Sequence, residues 1–502
     1  MASPISTNVA LANLQATALT ARCHNAFFRQ KQLKTLHDTL RNNSLAIKDA
    51  IKQDTRVSDV EATAEVALAL SNVKEHYTAI DVKKKLDEEY RITNGKDASD
   101  RREPYGVAYI EPQRSHTPFF SVIVALSATL AAGNCVALKL ENSLRALPSL
   151  LRKLLSEALE ADTFAIISSN PSPDSLSSCV SILQETQAER PIYSQLVSPK
   201  RRVVAIVDRT ADLASAAEQL VAARFAFGGT SPYAPDLVFV NEFIKKDFLE
   251  HVLRHSIRYL SGSNDIAANG TPKSPSGSKK TTSNISEVFK SLQDSKHWRL
   301  NAITQGDNGA VLELSQLSSL PQKLAQPLFC ITSITSLEHA ISIIDEDLDS
   351  SDTLLAAYQF GTPSTGKYLS QYINADASFT NYIPYRLLLG PTAPAFYPIN
   401  IDARYTTEHF TRAAPAYISL PASQAGLAAI ITSKESRKSA AELLAHASVE
   451  IKEQKRAESI AIGYFEQGIL LGLGVYGIPL LTCIGTVLYF GVRAGLRRWT
   501  FT

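Results

Sequence analysis

The chain lacks a charge excess of either sign. Its 51 basic residues stand against 49 acidic ones, a net of +2, so no bulk field draws nucleic acid or another polyanion to it, and no nucleic-acid partner is expected. Cysteine is scarce and scattered: Cys23, Cys135, Cys179, Cys330 and Cys483 include no C-x-x-C pair, which argues against a zinc site and a disulfide framework and suits a reducing compartment. The ten histidines contain no H-E-x-x-H or H-x-H cluster, so no metal centre is expected. No G-x-S-x-G elbow presents a serine, and no cysteine carries a recognisable nucleophile signature. The opening stretch MASPISTNVALANLQATALTARCHNAF lacks a long apolar core after a basic start, and a secretory signal is therefore not expected.

What the chain does have is enough apolar material for two or three packed domains, with 502 residues, 45% of them hydrophobic and 20% charged. Its strongest local signal lies near the end. Gln467 to Val492, QGILLGLGVYGIPLLTCIGTVLYFGV, contains no charged residue and exceeds the roughly 20 residues that cross a bilayer core as a helix. Lys452, Lys455 and Arg456 precede it, Arg493, Arg497 and Arg498 follow it, and Tyr464, Tyr489 and Trp499 are placed for the interfaces. Its glycines and Pro479 weaken a helix in water and are better tolerated in a membrane. The expectation is a single-pass tail anchor in the lipid bilayer, with the bulk of the chain facing the cytosol. Endoplasmic reticulum, mitochondrial outer membrane and peroxisome all remain open.

Before about residue 445, short apolar runs alternate with helical stretches, the signature of an α/β fold with parallel sheets. Strands are predicted at Val107–Ile110, Cys135–Leu140, Phe164–Ile167, Arg202–Val207, Asp236–Asn241 and Leu355–Phe360, and a helix over Ser143–Ala161. Ser261–Asn284 is rich in Ser, Gly, Asn and Pro and is expected to be a disordered surface loop. The run GTPSTGK, Gly361–Lys367, has the spacing of a phosphate-cradling loop, but Tyr368 follows where a magnesium-binding hydroxyl is needed, so an ordinary strand-to-helix turn explains it as well.

Four ordered blocks, NAFFRQKQLKTLHDTLRNNSLAIKDAIKQD, RREPYGVAYI, LAAGNCVALKLEN and AIVDRTADLASAAEQLVAARFAFGGTSPYAPD, resemble the aldehyde dehydrogenase superfamily. The likeness is greatest to its class 3 and fatty aldehyde members, and later segments SFTNYIP and RYTTEHFTR extend it over about residues 16–415. The resemblance implies a Rossmann-like NAD(P)-binding lobe over residues 1–205, a catalytic-type α/β lobe over 206–395 and a return segment with the oligomerising β-flap over 396–420. A linker over 421–466 and the transmembrane helix over 467–492 complete the expected order. It implies oligomers with like subunits, of this chain or of another aldehyde-dehydrogenase-fold chain.

The same resemblance places chemistry at positions that no longer carry it. Laid over Phe227–Asp236, the family pattern N-x-G-Q-x-C-x-A-P-D puts its nucleophilic cysteine on Pro232. Its glutamate base falls on Ser198, with Lys200 and Arg201 in place of two glycines, and its oxyanion-stabilising asparagine on His116. Lys139 matches the lysine that binds the cofactor ribose. Yet no glycine occurs from Asn134 to Phe227, so the family's phosphate-approaching F-T-G-S turn has no counterpart, and no glutamate matches the family's E-x-F-G-P motif around Gln326–Phe329. Ser231 and Cys330 are the substitutes nearest to hand for the missing nucleophile. NAD or NADP is the cofactor implied. The expected function is a membrane-anchored family member without dehydrogenase chemistry, acting as a binding or scaffold partner; the alternative is an NAD(P)-dependent oxidoreductase acting on fatty or other lipophilic aldehydes at a membrane.

Overall fold

The computed structural model describes residues 6–55, 57–91, 93–188, 191–261, 287–348, 352–418, 422–432, 437–452 and 464–499. Apart from Ser261, the stretch expected to be a disordered loop lies outside them. The chain divides into two compact units, Met1–Ser419 and Leu420–Thr502.

Two largely parallel sheets carry the first unit. Their strands are β1 (Arg102–Pro104), β2 (Val107–Glu111), β3 (Cys135–Lys139), β4 (Phe164–Ile167), β5 (Val180–Leu183), β6 (Gln195–Val197), β7 (Val203–Val207), β8 (Leu237–Asn241), β9 (Arg299–Gly306), β10 (Gly309–Ser315), β11 (Leu328–Ile334), β12 (Ala356–Phe360), β13 (Ser378–Thr380) and β14 (Thr411–Ala413). The first sheet runs β4-β3-β2-β5-β6, every pair parallel. The chain winds outward from β2 to β4 and then returns to β2's other side, so β2 and β5 flank the point where strand order reverses. In open α/β sheets ligands bind outside the carboxyl ends of the strands at that point. The second sheet runs β13-β12-β7-β8-β11-β10-β9, antiparallel only at the β9–β10 hairpin. A two-stranded antiparallel sheet pairs β1 with β14.

The run at Arg202–Val207 is a strand, but it pairs with β8 and β12. Residues 203–205, expected in the first lobe, therefore belong to the second sheet. An apolar β-branched run specifies a strand buried on both faces, and says nothing about which sheet receives it.

Packing follows the hydrophobic pattern. The helix Pro118–Ala132 is buried at all fifteen positions, as expected of a helix apolar all round. It lies in one core cluster with β2, β3 and the helices Ala26–Asn42 and Asp59–Thr78. The helix Asp59–Thr78 opens with a capping box. Ser58 Oγ accepts from Glu61 N at 3.2 Å and Glu61 Oε2 accepts from Ser58 N at 2.9 Å, which satisfies two of the orphan N–H groups at a helix start. After β12, Thr362 caps the helix Pro363–Tyr372, which takes up Gly366 and Lys367. A Cβ on Gly366 would meet Thr380 Oγ1 at 2.5 Å, so the glycine serves the close approach of helix to β13.

In the second unit the described residues form helices at Ala422–Ile431 and Arg437–Ala447 and a 31-residue apolar helix, Glu466–Leu496. By length and composition it is long and apolar enough to cross a membrane. Its Leu473–Gly477 portion is π-helical and ends two residues before Pro479. A proline cannot donate the backbone hydrogen bond to the preceding turn, and a local π stretch is one way a helix absorbs that loss.

Candidate functional site

The turn Phe227–Asp236 is held from both ends. Phe227, Gly228 and Gly229 have φ of 51°, 64° and 71° in succession, a left-handed run that costs a non-glycine residue free energy. Phe227 is kept there because its N–H donates to Glu61 Oε1 at 2.6 Å. Gly229 has no alternative, since an added Cβ would lie 2.5 Å from the Gln326 backbone. At the far end, Asp236 accepts from Val203 N at 2.8 Å, Leu324 N at 2.9 Å and Lys323 Nζ at 2.9 Å. Arg224, fully buried, donates to the carbonyls of Gly229, Leu324 and Gln326.

Around this turn, two of the residues singled out from sequence, Ser198 and His116, have their polar groups engaged. Pro232 is half-buried and carries no side-chain heteroatom. Its neighbour Ser231 is fully buried, and its Oγ has no hydrogen-bond partner among the described residues, so no base stands ready to take its proton. Ser198 Oγ donates to Thr392 O at 3.0 Å. Tyr233 OH accepts from Ala393 N at 3.1 Å. His116 Nε2 lies 2.7 Å from Leu388 O and Nδ1 2.9 Å from Thr230 Oγ1. A carbonyl only accepts, so Nε2 carries the proton, and the single Thr230 hydroxyl proton lies between Nδ1 and Phe227 O, 2.8 Å from Oγ1. Burial holds the His116 pKa down at about 4, outweighing the Leu388 carbonyl that favours the charged form. The segment Leu388–Ala393 thus runs between three sequence-predicted positions and is hydrogen-bonded beside each. It is buried throughout, and Gly390, with φ 79°, lies against the Phe120 ring, where a Cβ would come within 2.6 Å.

Cys330 does not join them. It lies in β11 at 1% exposure, and burial pushes its thiol up to about 12, opposite to what a thiolate nucleophile requires.

Lys139 ends β3 as the resemblance anticipates, but its Nζ donates to Glu111 Oε1 at 2.7 Å. Beside it, at the strand-order reversal, Gln113 N donates to Gln184 Oε1 at 2.8 Å and Arg114 N to Glu185 Oε1 at 2.7 Å, and an open cavity lined by Glu111, Gln113, Arg114, Lys139 and Arg145 adjoins them. The described residues joining β5 to β6 form no helix. Dinucleotide phosphates need backbone N–H groups at a glycine turn or a helix start. Among the described residues the loop after β5 offers neither, and the Gln113 and Arg114 N–H groups after β2 are occupied. These residues do not fit a bound NAD(P) pyrophosphate.

Sequence reasoning passed over Glu65. It lies on the inward stripe of its helix with Ala62, Val66, Ala69 and Val73, and a carboxyl on an apolar stripe is the signal that marks it. It is 1% exposed and accepts from Phe119 N at 2.9 Å and Phe120 N at 3.1 Å. Burial raises its pKa to about 7 despite those two donors. It borders a cavity of about 300 Å³ that Thr117, Arg145, Phe227 and Thr230 also line.

The chain matches the aldehyde dehydrogenase family over residues 6–346, and it belongs to that family. It is 31% identical over 169 residues to aldehyde dehydrogenase family 3 member B1 of Rattus norvegicus, a match covering 32% of this chain and 35% of the relative. It is 24% identical over 266 residues to the 4,4'-diaponeurosporen-aldehyde dehydrogenase of Staphylococcus aureus, covering 49% and 56%. The first of these matches spans about a third of the relative's length. Among solved structures, the substrate-bound Staphylococcus aureus AldH aligns with TM-score 0.63 at 17% identity, covering 86% of this chain and all of that one. The NADP complex of the Bacillus halodurans glyceraldehyde-3-phosphate dehydrogenase aligns with TM-score 0.59 at 16% identity, covering 80% and 89%. These likenesses establish an aldehyde-dehydrogenase-like α/β fold.

Proposed function

We propose that this chain is a membrane-anchored member of the aldehyde dehydrogenase family that has given up dehydrogenase chemistry and acts as a binding or scaffold subunit. The observation that carries this reading is the segment Leu388–Ala393, hydrogen-bonded to His116, Ser198 and Tyr233 where the family's oxyanion donor, base and nucleophile would gather. Pro232 at the cysteine position offers no nucleophile, and Ser198 has its one hydroxyl proton committed to a carbonyl. Losing a nucleophile alone costs enzymes several orders of magnitude in rate. The lost phosphate-binding turn supports the same reading for the cofactor.

The apolar helix Glu466–Leu496 supports a bilayer partner, with the first unit held at a cytosolic membrane face. An aldehyde-dehydrogenase-fold subunit, of this chain or another, is the partner its fold would suit.

Calorimetry of the detergent-solubilised full chain with NAD+ and NADP+, together with NAD(P)H formation from a long-chain aliphatic aldehyde, tests this. The expected result is neither heat nor turnover. Cofactor binding with turnover abolished by one substitution in the cavity beside Glu65 would establish a lipophilic-aldehyde oxidoreductase instead.

A further inference from the structure

We propose that Cys23 and Cys135 form a peroxide-responsive dithiol site, in which oxidation joins the turn after the first helix to the start of β3.

The two sulfurs are 3.7 Å apart although 112 residues separate them in sequence. A disulfide needs an S–S distance of about 2.0 Å, so each sulfur has less than about 1 Å to travel. The backbones are already docked: a Cβ on Gly133, just before β3, would meet Cys23 O at 2.8 Å. Both thiols belong to one apolar cluster with Leu11, Leu14, Val107 and Ile167, which seats the helix Thr7–Ala18 on the first sheet.

The pair is asymmetric. Cys23 occupies a 3₁₀ turn between exposed Arg22 and His24 and retains 6% exposure, whereas Cys135 has none. The hydrogen bond between the thiols lowers the Cys23 pKa and raises that of Cys135; burial and Glu160 oppose the change at Cys23 while the Arg22 and Arg29 guanidiniums assist it, and the net direction is downward. Cys23 is therefore the attacking sulfur and Cys135 the resolving one, the arrangement that favours reversible oxidation. Cys179 Sγ instead contacts Ser175 O at 3.4 Å, and Cys330 lies in the second sheet.

In the first step the Cys23 thiolate attacks one oxygen of hydrogen peroxide. The O–O bond breaks, the leaving hydroxide takes up a proton as water, and Cys23 becomes a sulfenic acid. The Cys135 sulfur then attacks the Cys23 sulfur, and the sulfenic hydroxyl departs with the Cys135 proton as a second water. Two thiols lose two electrons, and one peroxide is reduced to two waters.

The test treats the detergent-solubilised full chain with hydrogen peroxide, alkylates remaining thiols under denaturing conditions and maps peptides without reduction. The expected product is a Cys23–Cys135 linked peptide two hydrogens lighter than its free components, released by dithiothreitol, with Cys179 and Cys330 alkylated. In Cys135→Ser, peroxide should leave a dimedone-reactive sulfenic acid on Cys23; Cys23→Ser should abolish both products. Recovery of Cys23 and Cys135 as alkylated free thiols from the peroxide-treated wild-type chain, or linkage of either to a different cysteine, overturns the proposal without recourse to any variant.

Discussion

Arg224 and Asp236 face each other 3.5 Å apart at the two ends of the turn on which the family resemblance would place a cysteine, both buried. Arg224 ties the front of the turn through Gly229 O, while Asp236 ties its exit to β7 through Val203 N. The pair and its surrounding carbonyls secure the turn's shape independently of what stands at Pro232.

Removing one partner therefore acts on folding. Breaking a buried pair by deleting one member typically costs about 3–5 kcal/mol, because the remaining charge and its polar neighbours lose their partner. Arg224→Met removes the donor that reaches the carbonyls of Gly229, Leu324, Gln326 and Pro235, although Lys323 still pairs with Asp236 at 2.9 Å. Equilibrium denaturation of the variant should show a loss of roughly that size; a loss under about 1 kcal/mol would mean the pair is incidental.

Two buried groups set opposing pH responses. The Glu65 pKa is raised from 4.5 to about 7, so its contribution to stability is full below the unfolded value and is lost as pH rises through about 7. The His116 pKa is depressed from 6.5 to about 4, so its contribution is present above 6.5 and lost as pH falls through about 4. Burial lowers His76 and His409 as well, adding to the second trend. Between these limits the carboxyl offsets the histidines. In Glu65→Gln the offset disappears: stability should fall more steeply on acidification between about pH 6.5 and 4, and at pH 8 the variant should gain on the order of 3 kcal/mol. Urea denaturation at pH 5, 6, 7 and 8 measures this, and parallel curves for variant and wild type would refute it.

The strands and the apolar helix were legible because their causes are local. Val107–Ile110, Cys135–Leu140 and Phe164–Ile167 form strands within one residue of expectation, since period and β-branching are properties of neighbouring residues. What escaped depends on contacts across the chain. Nothing near Leu388–Ala393 announces that it will hydrogen-bond beside His116, Ser198 and Tyr233, and no local pattern brings Cys23 to Cys135. Glu65 lay in view on an apolar stripe, but only the helix start at Phe119 and Phe120 explains what its carboxylate meets.

Membrane attachment through Glu466–Leu496 predicts a graded response to charge. An arginine at the centre of an inserted helix costs about 2.5–3.5 kcal/mol on insertion scales. Leu481 and Ile484 lie in the middle of the apolar run and are exposed within their unit. Leu481→Arg together with Ile484→Arg should move a full-length fluorescent fusion from the membrane pellet to the supernatant, as should deletion of residues 467–502. Unchanged fractionation of the deletion would end the anchor reading.

Restoring the side chains that the family uses should not restore its reaction. Pro232→Cys supplies a thiol and Ser198→Glu a carboxylate, yet the segment Leu388–Ala393 still donates Ala393 N to Tyr233 and accepts from His116. The crevice by β2 remains tied through Gln184 and Glu185. A nucleophile without oriented acceptor and cofactor has lost the positioning that supplies much of an enzyme's rate. The double variant should therefore form no NAD(P)H from an aliphatic aldehyde. Hydrolysis of an activated ester needs only a reachable thiol, so that assay, run in parallel, separates an enclosed cysteine from an absent cofactor. Cofactor reduction by the double variant at rates above background would show that the site retains its dinucleotide and aldehyde geometry, and that the want of a thiol at position 232 and a carboxylate at position 198 alone had silenced it.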